Sequence, residues 1–212
     1  MTTKHLTGVY PGGYALSSAY TGLVIEATAS VGGAGVSASS SATIENDGTV
    51  HATTGKASGI YLKAGGTLTN GSATDTTASI AGFYGVLAFG SSAITNYGAI
   101  QGASVGVALA AGGTLTNGSA ADTTASISGS AGVSAGYPSA MIANFGTIQG
   151  SHFGVTLAAG GTVTNGSADD TTALIAGTGA GPLFGVAAQG SAMVVNFGTI
   201  RATAGKYSPG GS

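Results

Sequence analysis

The nine-residue phrase GGTLTNGSA begins at Gly65, returns at Gly112 and returns again, with one change, at Gly160. The interval is about 47 residues, which is the length of a supersecondary unit and is typical of a repeat protein. A single unit of this kind cannot bury its own apolar face, so neighbouring units must stack. The repeat therefore restricts the chain to a solenoid or a similar stacked array.

A shorter motif, an apolar residue followed by any residue and then Asn, divides each unit in two. It occurs seven times and supplies Asn46, Asn70, Asn96, Asn117, Asn144, Asn165 and Asn196. Successive Asn residues are 24, 26, 21, 27, 21 and 31 positions apart, so short and long turns alternate. We interpret each Asn as the end of one strand in one coil.

Each coil contains three short apolar segments. The first ends at the Asn, the second centres on a residue such as Ile80 or Ile100, and the third reads Gly-Val-x-apolar, as at Gly85. Within them apolar residues alternate with a period of two, which is the strand pattern. We therefore predict an all-β fold, a single-stranded parallel β-solenoid with three short strands per coil, about eight coils and an Asn ladder, with coils about 4.8 Å apart.

The repeat also sets the predicted domain boundaries. Residues 1–21 lack it and are interpreted as an N-terminal cap or a degenerate coil, because the ends of a solenoid need a cover. Residues 22–204 are assigned to the parallel β-helix, and residues 205–212 to a disordered tail or linker. No C-terminal cap is recognisable, which favours a fragment of a longer array or an end that stacks on another subunit.

The composition excludes several classes of function. Only 6% of the residues are charged and the net charge is −2, so no basic patch can displace the counterions of a nucleic acid. No apolar run reaches the roughly 18–20 residues of a membrane span. The hydrophobic content of 43% argues against intrinsic disorder, although forty residues are Gly.

Two kinds of polar residue recur with the repeat. We expect the seven Asn residues to be structural, since stacked identical amides bond one another as they do in cross-β packing. The loop Gly-Ser-Ala-x-Asp-Thr-Thr-Ala supplies Asp75, Asp122 and Asp170. These loops fall on every second coil, about 10 Å apart, too far for one Ca²⁺ with ligands at about 2.3–2.6 Å to bridge two of them. We expect Asx or Thr turns and assign no metal, with one Ca²⁺ per loop as the alternative.

Thr pairs and aromatic residues suggest two surface functions. The outward Thr pairs are Thr67 and Thr69, Thr114 and Thr116, and Thr162 and Thr164. A flat array of this type suits ice binding, a minor alternative here because Ala93 and Met141 interrupt it. The aromatic residues that follow a ladder Asn are Tyr97, Phe145 and Phe197, and those that precede a Gly-Val strand include Phe83, Tyr84, Phe153 and Phe184. We expect them to stack along edges or cover turns, with a carbohydrate platform as the alternative.

The search for catalytic chemistry finds no candidate. The chain has no Cys nucleophile, no G-x-S-x-G elbow, no H-E-x-x-H motif and no phosphate loop, and its three His residues are isolated in the sequence. Only Glu26, Glu45 and Asp47 form a local acidic group. We therefore predict no enzyme activity, no catalytic residue and no cofactor. A polysaccharide-binding or polysaccharide-degrading protein is the alternative.

The phrases GGTVTNGSADDTTALIAG, ITNYGAIQG and VVNFGTI resemble repeats in the passenger regions of bacterial autotransporter and haemagglutinin-type adhesins. The resemblance covers roughly residues 42–202. It implies a right-handed parallel β-helix at the cell surface or outside the cell, acting as a structural and adhesive module. The partners expected are a homo-oligomer or filament formed through the coil ends and a cell-surface or glycan ligand, with no nucleic acid and no membrane span.

Overall fold

The computed structural model describes residues 2–137, 140–179 and 182–204. All of its regular elements are strands. In chain order they are β1 (Thr3–Leu6), β2 (Val9–Tyr10), β3 (Tyr14–Leu16), β4 (Gly22–Ile25), β5 (Ser30–Val31), β6 (Val36–Ala38), β7 (Ala42–Asn46), β8 (Thr49–His51), β9 (Ile60–Leu62), β10 (Gly66–Asn70), β11 (Ser79–Ala88), β12 (Ser92–Asn96), β13 (Ala99–Leu109), β14 (Gly113–Asn117), β15 (Ser126–Ala135), β16 (Ala140–Asn144), β17 (Thr147–Leu157), β18 (Gly161–Asn165), β19 (Leu174–Gly177), β20 (Phe184–Ala188), β21 (Ala192–Asn196) and β22 (Thr199–Ala202).

The strands wind into a parallel β-solenoid of about eight coils, as the sequence predicts. One sheet has nine strands in the order β1-β4-β7-β10-β12-β14-β16-β18-β21, and the other strands form a second sheet of thirteen. The pairings are parallel, and in the nine-stranded sheet they are in register, so that Leu68 of β10 lies beside Ile94 of β12, and Ile94 beside Leu115 of β14. We call residues at equivalent positions in successive coils a column, and one step along a column a rung.

The core is built from apolar columns, because period-two alternation sends every second side chain of each strand inward. Leu68, Ile94 and Leu115 form one such column in the nine-stranded sheet, and Ile80, Ile100 and Ile127 form another in the second sheet. All six are at most 1% exposed. Burying a side chain of this size contributes about 1.5–3 kcal/mol, and every additional coil repeats the gain.

The second sheet differs in one respect from the predicted three short strands per coil. In four coils the second and third apolar segments join into one bent strand, as in β11 and β13. The register between β11 and β13 shifts between Gly82 and Tyr84, and the other pairs in this part of the sheet shift at the same corner. A β-bulge lets a strand turn a corner without losing its neighbours, which is why the two segments remain continuous.

The two ends of the solenoid differ. Residues 3–16 carry β1, β2 and β3, which pair with β4, β5 and β6 as a coil of their own. Leu6 of this coil is fully buried, and Tyr10 and Tyr14 pack against the core with their rings 5.8 Å apart. At the other end every residue of β21 is exposed. The predicted tail, residues 205–212, lies outside the described residues.

Candidate functional site

The Asn ladder is the most regular polar feature of the molecule. The side-chain Nδ2 of each Asn donates to Oδ1 of the Asn one rung further on, from Asn46 through to Asn196. All six bonds are 2.7–2.8 Å long. The first six Asn residues are at most 1% exposed, while Asn196 is exposed. This is the stacked amide arrangement that the sequence predicts.

Six of the seven ladder amides also close their own turn, whereas Asn70 donates only to residues of the next coil. Asn96 Nδ2 donates to the carbonyl of Gly98 at 3.0 Å and to the carbonyl of Ser126 in the next coil at 3.2 Å. Where the turn is long, the partner lies further along the chain, as for Asn117 and the carbonyl of Ala125 at 3.4 Å. These carbonyls also accept a backbone N–H, from Ser126 at 3.0 Å for Gly98 and from Thr147 at 2.9 Å for Ala125. The ladder amide is therefore a second donor, which ties each turn to the column.

The ladder has a defined start. The position of Asn46 in the column is occupied by Ile25 in the preceding coil and by Leu6 in the first coil. Asn46 Oδ1 is buried and accepts no hydrogen bond within the described part of the chain. The polarity of the ladder explains this, since each oxygen needs a donor from the preceding coil and Ile25 offers none.

The three Asp loops form the expected Asx turns. Asp75 Oδ1 accepts bonds from the backbone N–H of Thr77 at 3.0 Å and from its hydroxyl at 2.7 Å, and Asp122 and Asp170 make the equivalent bonds to Thr124 and Thr172. The Thr77 hydroxyl, followed by the Thr77 N–H, lowers the pKa of Asp75 below 3.8. The side chains of the loops thus hold their own backbone in place.

The loops differ in burial. Asp122 and Asp170 are 7% and 5% exposed, and each has an Oδ2 atom without a partner among the described residues, whereas Asp75 is half-buried. The coil that precedes each loop differs at the residue that follows its ladder Asn. This residue is Tyr97 for the Asp122 loop and Phe145 for the Asp170 loop, but Asp47 for the Asp75 loop. Across residues 2–137, 140–179 and 182–204, no three His, Cys, Asp or Glu side chains come together as a metal site. One Ca²⁺ per loop stays the untested alternative to the prediction of no metal.

The acidic residues near the N-terminal end converge on one trough of about 450 Å³, lined by Glu26, Glu45, Asp47 and Asp75. The sequence indicates the first three as a local group, and the fold adds Asp75 from the loop one coil later. His5 Nδ1 lies 2.7 Å from Glu26 Oε1. None of the four acids that line the trough is buried.

The outward face of the nine-stranded sheet carries no charged side chain from β10 to β18. From β10 to β18 its outward residues are Thr67, Thr69, Ala93, Thr95, Thr114, Thr116, Met141, Ala143, Thr162 and Thr164. Complete Thr pairs fall on alternate rungs, as the sequence predicts, and Met141 is 58% exposed between two of them. The protruding Met side chain disrupts the regular spacing that an ice-binding surface requires.

The aromatic residues divide into two groups. Tyr97, Phe145 and Phe197 lie two rungs apart, about 10 Å, and form no ring–ring pair within the described residues. Along the corner of the second sheet, Phe153 and Phe184 do stack, with centroids 5.8 Å apart and planes 2° apart. Phe83 and Tyr84 meet edge to face at the same corner. Val105 and Ala131 occupy the rungs between, so the aromatic edge is discontinuous.

These features define the class of the molecule: it is a parallel β-solenoid repeat protein with an internal Asn ladder. Comparison with protein-family models, curated proteins and solved structures finds no match for the chain. Nowhere in the described residues is there a helix long and apolar enough to cross a membrane.

Proposed function

We propose that this protein is a non-enzymatic structural and adhesive module that acts outside the cell or at a bacterial cell surface. The observation that carries the proposal is the unbroken ladder, in which six consecutive amide bonds join seven of the nine strands of the first sheet. A rod in which seven successive coils are joined by both backbone and side-chain hydrogen bonds resists unfolding and proteolysis. The resemblance to adhesin passenger repeats supports the location.

The surface of the rod fits a contact role. From β10 to β18 the outward face of the nine-stranded sheet carries only Thr, Ala and Met. The Ala and Thr side chains are short and lose less conformational entropy when they are covered than the long Met141 side chain does. The face therefore offers low-cost contact area with hydroxyl groups that can bond a polar partner.

The proposal includes self-association through the C-terminal coil. Val194 occupies a core position but is 45% exposed, and Phe184, Met193 and Phe197 nearby are 45–58% exposed. At the N-terminal end, Leu6 holds the ladder position and Tyr10 and Tyr14 pack over the core. We therefore propose that two copies dock through their C-terminal coils. Strand β21 of one copy would pair with β21 of the other about a two-fold axis through Val194, so that the exposed core positions of the two copies face each other.

Localisation is the direct test of the proposal. Cells that produce the protein are treated with protease without lysis and then probed with an antibody against the purified chain. The protein should bind antibody on intact cells, and shaving should remove the signal. A signal that appears only after lysis would refute an extracellular role.

Polysaccharide recognition is a second candidate function, and a recess beside Phe83, described below, favours it. Binding and degradation are separable, because a hydrolase or lyase lowers the viscosity of its polymer whereas a binding protein leaves it unchanged. We expect unchanged viscosity of acidic and neutral polysaccharides after prolonged incubation. A progressive fall would identify an enzyme and contradict the proposed function.

A further inference from the structure

A recess of about 330 Å³ opens on the outer side of the second sheet. It lies at one column, in which Ala81 of β11 is flanked by His51 of β8 and Gln101 of β13. His51 and Gln101 are thus two rungs apart, about 10 Å, and the small side chain of Ala81 leaves a slot between them. The volume lies within the range of about 300–1,000 Å³ that is usual for small-molecule sites.

The walls of the recess are fixed by backbone hydrogen bonds. Residues 52–59 run beside it, and Ala52 N–H donates to the carbonyl of Ala81 at 2.9 Å. Phe83 N–H donates to the carbonyl of Ala57 at 2.8 Å, and Gly59 N–H to that of Tyr84 at 2.9 Å. The bulge at Gly82 places Phe83 at the edge of the slot. A ligand would therefore meet a preformed surface and would not have to order a loop.

The groups at the recess are free to bind. Neither the His51 ring nor the Gln101 amide makes a side-chain hydrogen bond to another described residue. Lys56 Nζ lies 5.4 Å from the centre of the Phe83 ring. The described residues contain one ion pair, His5 with Glu26, so the Lys56 ammonium has no carboxylate partner among them. No acidic residue lines the recess.

We propose that this recess binds one sugar ring that bears a carboxylate, a uronate unit of an acidic polysaccharide. The hydroxyl groups of the ring would bond the His51 ring and the Gln101 amide, its C–H surface would pack against Phe83, and its carboxylate would pair with Lys56. The acidic trough of Glu26, Glu45, Asp47 and Asp75 would repel the same ligand. The inference rests on the proposed function, because it assigns a ligand class to an adhesive surface module.

Two substitutions in one column test the site. Ala81→Gln fills the slot with a long side chain, and Ser128→Gln makes a similar change one rung beyond Gln101, outside the recess lining. Both positions point outward on a strand, so the core is untouched. Binding of tetragalacturonate to the full chain would be followed by calorimetry and by amide chemical shifts, with the fully methyl-esterified tetramer as the uncharged ligand.

We expect the unmodified chain to bind tetragalacturonate with a Kd of about 1 mM or tighter, with shifts centred on His51, Phe83 and Gln101. Ala81→Gln should weaken binding at least tenfold at unchanged Tm, and Ser128→Gln should leave it within twofold. Lys56→Met should abolish the preference for the acid over the ester. No binding by the unmodified chain, equal binding by Ala81→Gln, or an unchanged preference in Lys56→Met would overturn the proposal.

Failure of this experiment is distinguishable from failure of the proposed function. If the protein is found on intact cells but does not bind tetragalacturonate, the surface role stands and the uronate site is refuted. If the protein binds the tetramer at the recess but is found only inside cells, the uronate site stands and the surface role is refuted.

Discussion

Removing one amide from the middle of the ladder should destabilise the solenoid far more than removing the last one. Asn117 is fully buried, accepts from Asn96 Nδ2 at 2.7 Å and donates to Asn144 Oδ1 at 2.8 Å. In Asn117→Ala, Asn144 Oδ1 loses its donor inside the core, at a cost of about 1–3 kcal/mol. Asn96 Nδ2 keeps its bonds to Gly98 and Ser126. A small cavity adds to the loss, so we expect about 2–4 kcal/mol in total.

Asn196→Ala is the matched control. Asn196 accepts from Asn165 Nδ2 at 2.8 Å and donates to the carbonyl of Gly198, but it is exposed, so water can replace both bonds. We expect a loss of at most about 1 kcal/mol. Urea unfolding followed by circular dichroism gives the free energy of unfolding and the m-value of each variant. If Asn117→Ala cost no more than Asn196→Ala at equal m-values, the ladder would not be a principal source of stability.

Three further predictions concern other parts of the molecule. The pKa of Asp75 should lie below 3.8 in the folded protein. Its contribution to stability should be present above pH 3.8 and lost as the pH falls through the folded pKa. Side-chain carbon NMR measures the pKa, and a pKa that is unchanged in Thr77→Val would contradict the assigned cause. Gly113→Ala should destabilise the protein by more than about 2 kcal/mol, because φ at Gly113 is +120° and the new Cβ would overlap the carbonyl oxygen of Ser92. Gly12→Ala should be near neutral, since no atom lies within 4 Å of the new Cβ. Equal unfolding midpoints for the two variants would contradict this reasoning. Val194→Asp should abolish concentration-dependent association in light scattering, whereas Met141→Asp, at an outward and more exposed position, should not. Association that survives Val194→Asp would exclude the C-terminal coil as the interface.

Much of the fold is predictable because the repeat encodes the register. The triplets ending at Asn70, Asn96 and Asn117 identify equivalent positions in successive coils, and the strands pair at those positions. A one-residue slip would turn these amides outward and Leu68 away from the core. The Asn positions therefore specify the strand register as strongly as the apolar pattern does.

The corner of the second sheet is not predictable in the same way. The bulge at Gly82 depends on how β11 bends over β13, and the residues there are Gly, Phe and Tyr, which occur in many local structures. The recess beside it joins His51, Ala81 and Gln101, which are 30 and 20 positions apart in the sequence. Their alignment can be predicted only after each residue has been assigned to its rung, because the turns alternate in length.

The burial of the Asp loops was also beyond the sequence pattern. Asp75, Asp122 and Asp170 occupy identical positions in nearly identical loops, yet only the last two bury Oδ2. The difference coincides with the preceding rung, where Asp47 occupies the position of Tyr97 and Phe145. The burial of the loop thus varies with the residue at this position of the preceding coil, which lies far away in the sequence.

Pairwise distances along one outward column test the central claim most directly. Val24, Thr116, Thr164 and Val195 lie in one column, at four, six and seven rungs from Val24. The chain has no Cys, so spin labels can be attached to introduced Cys pairs and measured by pulsed electron spin resonance. The in-register solenoid predicts backbone separations of about 19, 29 and 34 Å. Separations that do not increase in the ratio 4:6:7 would contradict the fold and the ladder together.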